Sequence, residues 1–249
     1  MYPHFRHYFF EHNSNTATNI SSSFWGAFLG AFLAFLFGLL TFYITKRREG
    51  YIKHKNGLVK LSQLLHEHSD EIYMAKQNAD ETKKIVELKQ LTDYRFILFK
   101  TPTDILMELQ SIEIMNMYFK YSRMMSRANG NMTAKNHALT RFEDGMISGR
   151  NLAPESWDYI ASSLGEIRDG LDVLDRENLN LIVHTRIYLN KLKDNWYVLE
   201  HMFTKKWDLV ITDEQIACEL KKITQENIGL KKEEKERNEM LDNFLKQKI

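Results

Sequence analysis

Residues 24–44 read FWGAFLGAFLAFLFGLLTFYI, and no charged side chain interrupts them. At 1.5 Å rise per residue a helix of this length covers about 30 Å, the thickness of a bilayer's hydrocarbon core. Trp25 and Tyr43 stand near the two ends, where amphipathic rings favour the headgroup boundary, and Ser21, Ser22 and Ser23 give one end a polar edge. We read the segment as an uncleaved signal anchor that forms a single-pass transmembrane helix. A cleaved signal peptide fits less well, because only Arg6 supplies a fixed cation upstream and the run exits into Thr45, Lys46, Arg47 and Arg48 instead of small residues.

Lys46, Arg47, Arg48, Lys53, Lys55 and Lys60 follow the span against Glu49 alone, whereas Arg6 and Glu11 precede it. The positive-inside bias predicts an N-terminus outside and a C-terminal side in the cytoplasm, at an inner or plasma membrane. The same six cations are expected to contact anionic lipid headgroups. Residues 1–23 read as an extracytoplasmic tail too short to bury a core. His4, His7 and His12 in that tail match no established metal-ligand spacing.

Within the span, Gly26, Gly30, Ala34 and Gly38 recur every four residues and share one helix stripe. Lipid supplies no hydrophobic drive between helices, so association depends on close backbone approach, which small residues permit. The stripe predicts a homo-oligomer or packing against another membrane protein.

Outside the span the 249-residue chain is charged, with Lys and Arg (34) nearly balancing Asp and Glu (33). No global basic field exists to hold nucleic acid by counterion release. With 11 Gly, 3 Pro and abundant Leu, Lys, Glu and Met, the composition favours helices. The expected fold is all-α: a single N-terminal transmembrane helix followed by a cytoplasmic helical bundle or coiled-coil-like domain. The divisions are a tail (1–23), the span (24–44), a basic juxtamembrane segment with the first cytoplasmic helix (45–100), a helical domain (101–212) and a charged C-terminal helix (213–249). Cys218 is the single cysteine, so no intrachain disulfide forms, and a structural packing role is expected for it.

Leu58, Leu61, Leu65, His68, Ile72, Ala75 and Ala79 alternate spacings of three and four, predicting a helix to about residue 90 with a narrow apolar seam. His68 is expected to be partly exposed, and Gly50 and Gly57 make a hinge below the bilayer an equal alternative to a continuous helix. Tyr94 to Phe99 fits a strand or a buried helix end equally well. Thr101, Pro102 and Asp104 carry the signature of a helix start, with the helix expected to reach about Ala128 and stop at Gly130. Its Met- and aromatic-rich run, Met115 to Met125, is expected in the core. Residues 129–153 read as a loop holding a short helix around 134–143.

Pro154 opens the next helix, whose seam of Leu164, Ile167, Leu171, Leu174, Asn178 and Leu181 keeps heptad spacing onward through Thr185, Tyr188 and Leu192. Asn178 occupies a core position where one polar group can fix register. Glu166, Asp169, Asp172 and Asp175 follow at spacings of three and read as a solvated face, since no Glu-x-x-His accompanies them. Ile216, Leu220, Ile223 and Leu230, the charged run Lys231 to Arg237, and then Met240, Leu241, Phe244 and Leu245 predict a final helix that projects from the body.

No phosphate-cradling glycine loop, His-Glu-x-x-His, Gly-x-Ser-x-Gly or cysteine pair occurs, so no catalytic residue, metal site or cofactor is expected. The expected role is a membrane-anchored interaction or scaffold protein that self-associates, with the lipid bilayer and a cytoplasmic protein as further partners. The alternative is an effector that oligomerises through the glycine stripe and perturbs or opens the membrane.

Overall fold

The computed structural model describes residues 5–90, 94–148, 154–194, 198–199, 204 and 207–226, with side chains of the first helix described from Phe24 onward. The regular elements are all helical, as composition required: α1 (Phe5–Glu87), one 3-10 turn (Asp104–Met107), α2 (Ile112–Ile147) and α3 (Pro154–Lys191), with a further helical stretch over 213–226. The chain divides into two compact units, Met1–Gly50 and Tyr51–Ile249.

The first unit carries the apolar run. An 18-residue window there reaches a mean hydropathy of 2.2, and none of it is buried against protein. Phe28, Phe32, Phe35, Leu39 and Phe42 are all about half exposed or more. A helix this long and apolar with no protein cover is not the core helix of a soluble bundle; it is long enough to cross a membrane.

The second unit is a bundle built on three seams. Along α1 the buried positions are His54, Leu58, Leu61, Leu65, His68, Ile72, Ala75, Ala79, Thr82 and Val86, with Gly57 beside them. On α2 they are Ile114, Tyr118, Tyr121, Met125, Met132, Lys135, Leu139 and Phe142; on α3 they run from Trp157 through Leu164, Ile167, Leu171, Leu174, Asn178 and Leu181 to Tyr188 and Leu192. The spacings are threes and fours, with the step from Met125 to Met132 on α2 bridged by the half-buried Ala128, so each helix presents a continuous stripe, and each fully buried Leu or Ile contributes about 1.5–3 kcal/mol.

Cross-contacts set the helix directions. Asn178 Nδ2 donates to Leu65 O at 2.9 Å, Lys76 pairs with Asp172 (2.7 Å) and Asp175 (2.6 Å), and Arg168 pairs with Asp80 (3.2 Å), so α3 runs antiparallel to α1. Phe142 meets Trp157 edge-to-face at 4.4 Å while Lys120 pairs with Glu177 at 2.8 Å, so α3 is antiparallel to α2 as well. Hence α1 and α2 run the same way, and the chain between them must travel back along the bundle.

Residues 94–110 make that return as a strap. Asn136 accepts from Phe96 N (2.9 Å) and donates to Phe96 O (3.0 Å), and Asn129 does the same for Phe99 N (2.9 Å) and O (3.0 Å). Seven helical residues rise about 10.5 Å, and three extended residues span about 10 Å, so two amides two turns apart match two peptide groups three residues apart. The buried Phe96 and Phe99 point inward while Ile97 is 81% exposed. Farther on, Tyr118 Oη donates to Pro102 O at 2.6 Å, and Gln110 N donates to His54 Nδ1 at 3.0 Å.

Several expectations are corrected by this arrangement. Tyr94 to Phe99 is neither strand nor helix, because side-chain amides, not a ladder or a helical turn, satisfy its backbone. The helix signature at Thr101 to Asp104 yields only one 3-10 turn, and α2 starts instead at Ser111, whose hydroxyl accepts from Ile114 N at 3.2 Å. Gly130 does not end α2, since burial of Met132, Lys135, Leu139 and Phe142 outweighs the glycine's cost of about 1 kcal/mol. The expected loop therefore shrinks: 129–147 is helical, and 149–153 lies outside the described residues.

At the other glycines, α1 is helical through both Gly50 and Gly57, and it ends in a Schellman turn with Lys89 at φ 57°, Gln90 N bonded to Ile85 O at 3.1 Å and Lys89 N to Val86 O at 2.9 Å. His68, expected partly exposed, is only 1% exposed under the strap. The helix at 213–226 packs on the body instead of projecting: Ile223 and Glu219 are buried, and Arg186 pairs with Glu226 at 2.8 Å. Residues 227–249, including the charged run, lie outside the described residues. Cys218 is exposed and holds no packing position.

Gly57 and Gly130 make opposite predictions. A Cβ on Gly57 would lie 2.9 Å from Glu108 Cβ and 3.1 Å from its carbonyl carbon, so Gly57→Ala forces the strap outward and should destabilise by about 1–2 kcal/mol despite better helix propensity. A Cβ on Gly130 meets nothing within 4 Å, so Gly130→Ala should stabilise by about 0.5–1 kcal/mol. Urea unfolding of the full chain in detergent, followed by circular dichroism, reads both signs.

Candidate functional site

Polar residues converge at one end of the second unit, where the start of its share of α1, the cap of α2, the last turns of α3 and residues 207–209 meet. Ser111 is fully buried, and its hydroxyl donates to Asp208 Oδ1 at 2.7 Å while capping α2. Asp208 also accepts from Glu113 N at 3.1 Å. Tyr188 Oη donates to Glu113 Oε2 at 2.7 Å and accepts from Leu209 N at 2.9 Å. Burial is the main reason the Tyr188 phenol is pushed well above its ordinary range. His54 completes the cluster, its ring 5.2 Å from that of Trp207 and 6.4 Å from that of Tyr188.

Serine, histidine and aspartate stand together here, yet they do not form a relay. The neutral His54 ring has its lone pair on Nδ1, where it accepts from Gln110 N, and the Ser111 proton is committed to Asp208. Both His54 and Ser111 are 0% exposed, so no substrate reaches either. The cluster's chemistry is that of a clasp: it ties residues 207–209 to three helices and satisfies the Leu209 N–H. Among the described residues, no group of three or more His, Cys, Asp or Glu is arranged to hold a metal ion.

The residues singled out in the sequence divide into three sets. In the first unit, Gly26, Gly30, Ala34 and Gly38 are exposed, and a Cβ on any of the three glycines would meet nothing within 4 Å. Lys46 and Arg48 are exposed there, and Arg47 donates to Tyr43 Oη at 2.9 Å with its guanidinium 4.8 Å from the Tyr43 ring centroid. In the second unit Lys53 and Lys55 are exposed, whereas Lys60 is paired with Glu108 of the strap. Lys55 also lines a cleft of about 590 Å³ with Arg186, Lys193 and Lys222 facing Glu219 and Glu226.

The third set, Leu164, Ile167, Leu171, Leu174, Asn178 and Leu181, is 0–6% exposed. Asn178 donates to Leu65 O and, at 2.8 Å, to Ser69 Oγ, so this seam is filled by the chain's own helices. Next to it, the acidic row is partly engaged: Arg168 and Lys76 together hold the Asp172 carboxyl down to about 2.

Sequence reasoning placed Tyr188 in the seam but missed Ser111, Glu113 and Asp208. A serine two residues before a glutamate and three before the first seam residue, Ile114, was the available cap signal. Tyr188→Phe removes one oxygen and no packing, so its effect isolates the hydroxyl. It should cost about 1–3 kcal/mol in a urea titration, because Leu209 N loses its acceptor and Glu113 its donor. No protein-family profile matches this chain, and neither a curated protein nor a solved structure matches it.

Proposed function

We propose that the chain is a membrane-anchored helical interaction protein: residues 24–44 cross a bilayer once, the N-terminus lies outside, and the second unit meets a protein partner in the cytoplasm. The observation that carries this reading is the apolar helix of the first unit, which reaches a mean hydropathy of 2.2 with no protein burying it. Only lipid, or another helix within lipid, removes that surface from water. Orientation follows from the cations after the span, of which Lys46, Arg48, Lys53 and Lys55 are exposed and suited to anionic headgroups.

Self-association is assigned to the span and not to the heptad seam of α3. The seam residues are already buried in the chain's own core, whereas the Gly26, Gly30, Ala34 and Gly38 stripe is open along its length.

Two measurements test the proposal. A reporter fused after Ile249 should be active only in the cytoplasm and one fused before Met1 only outside; the reverse pattern rejects the orientation. Gly30→Ile should reduce crosslinking between copies in a bilayer by about tenfold, and Leu33→Ile on another face should not. Equal crosslinking in both variants removes the stripe as the contact surface, and rapid ion leak from liposomes bearing the chain would favour the membrane-opening effector instead.

A further inference from the structure

Two histidines of the α1 seam hold the strap, His54 at its last residue, Gln110, and His68 midway along it at Lys100. A backbone N–H can only donate, so the 3.0 Å bond from Gln110 N to His54 Nδ1 exists only while that nitrogen carries a lone pair. The other nitrogen, His54 Nε2, is buried and has no hydrogen-bond partner. An imidazolium at this position would direct its added Nδ1–H at another donor, while the Nε2–H finds no acceptor in either state.

The groups around His54 come from α1, α2, α3, residues 207–208 and the strap, whose Glu108 is paired with Lys60. Asp208 favours the cation; Tyr188 of α3, bonded to Glu113 of α2, faces it with a neutral phenol; Trp207 presents its ring; Tyr51, Lys53 and Lys55 flank it on α1. Burial outweighs Asp208 and lowers His54 from 6.5 to about 4.

His68 is a softer fastening. Its Nε2 donates to Lys100 O at 3.0 Å, and Tyr121 Oη, 3.2 Å away, donates to Nδ1. Burial lowers its pKa too, against Glu71 and Glu67 on its own helix, but a protonated ring would keep the Lys100 bond and the Tyr121 hydroxyl could turn to accept.

We propose that His54 is a proton-operated latch: protonation breaks the Gln110 bond and releases the 104–110 end of the strap from its close contact with Gly57. The closed strap has the depressed pKa and the open strap the ordinary one. Closure is therefore fully favoured above about pH 6.5 and weakens as the pH falls toward about 4. The released end is the stretch where Glu108 and Leu109 lie against Gly57, so opening also parts Glu108 from Lys60 of α1.

Amide hydrogen exchange of the full chain in lipid nanodiscs, corrected for intrinsic rates, reads the latch at Gln110. With His54 at about 6.5 open and about 4 closed, opening should be roughly thirtyfold more frequent at pH 5 than at pH 7.5. His54→Asn sets an amide oxygen near the Nδ1 position and cannot titrate, so its opening should change by less than about threefold over the same range. Equal acceleration in both proteins, or none in the unmodified chain, overturns the proposal. Should His54→Asn fail to fold, nitrogen NMR of the unmodified chain decides: a bare Nδ1 at neutral pH and titration below pH 6 support the latch, and a protonated Nδ1 or titration at pH 6 or above overturns it.

Discussion

Alternating spacings of three and four, kept over ten buried positions of α1, leave that helix one apolar stripe and no freedom to rotate about its axis. The stripe must be covered along its whole length, and α2 and α3 cover it only if their own stripes face the same axis. Parallel placement of α1 and α2 follows once α3 is antiparallel to both. That geometry obliges the chain to return between α1 and α2, so the strap is a consequence of the seams and not an independent feature.

The return path is possible because polar residues were placed where an apolar core would reject a backbone. Asn129 and Asn136 give the strap the donors and acceptors that a neighbouring strand would otherwise supply, while His68 takes Lys100 and His54 takes Gln110. A buried peptide group without a partner costs about 1–3 kcal/mol, so these four side chains decide where the connection can lie. Gly57 supplies the remaining condition, an absence of side chain where Glu108 crosses α1.

The seams of α1 and α3 were legible in the sequence because their residues are aliphatic and their period is unbroken, and Pro154 marked the start of α3 correctly. The seam of α2 was obscured: Ile112 and Phe119, which look like core, are 60% and 51% exposed, while Lys135 is buried. Gly130 carried a true local stop signal that long-range packing overrode. The strap could not be read, because its partners are amides 30 and 40 residues away, and a lone asparagine in a helix carries no mark of that use. The polar clasp was likewise hidden, since it joins residues up to 97 positions apart and resembles no catalytic pattern. The long apolar helix over residues 24–44 was legible, since its length and lack of charge are local properties.

The bond from Asn178 to Leu65 closes a separation of 113 residues, and this has a consequence for how the protein is made. At about 5–20 residues per second, a ribosome needs on the order of 6–20 seconds after α1 has emerged to deliver the part of α3 that completes its seam. During that interval the α1 stripe of Leu58, Leu61, Leu65 and Ile72 is exposed, while α2 and the strap arrive first and cover only part of it. Early synthesis therefore yields an amphipathic helix awaiting its third partner.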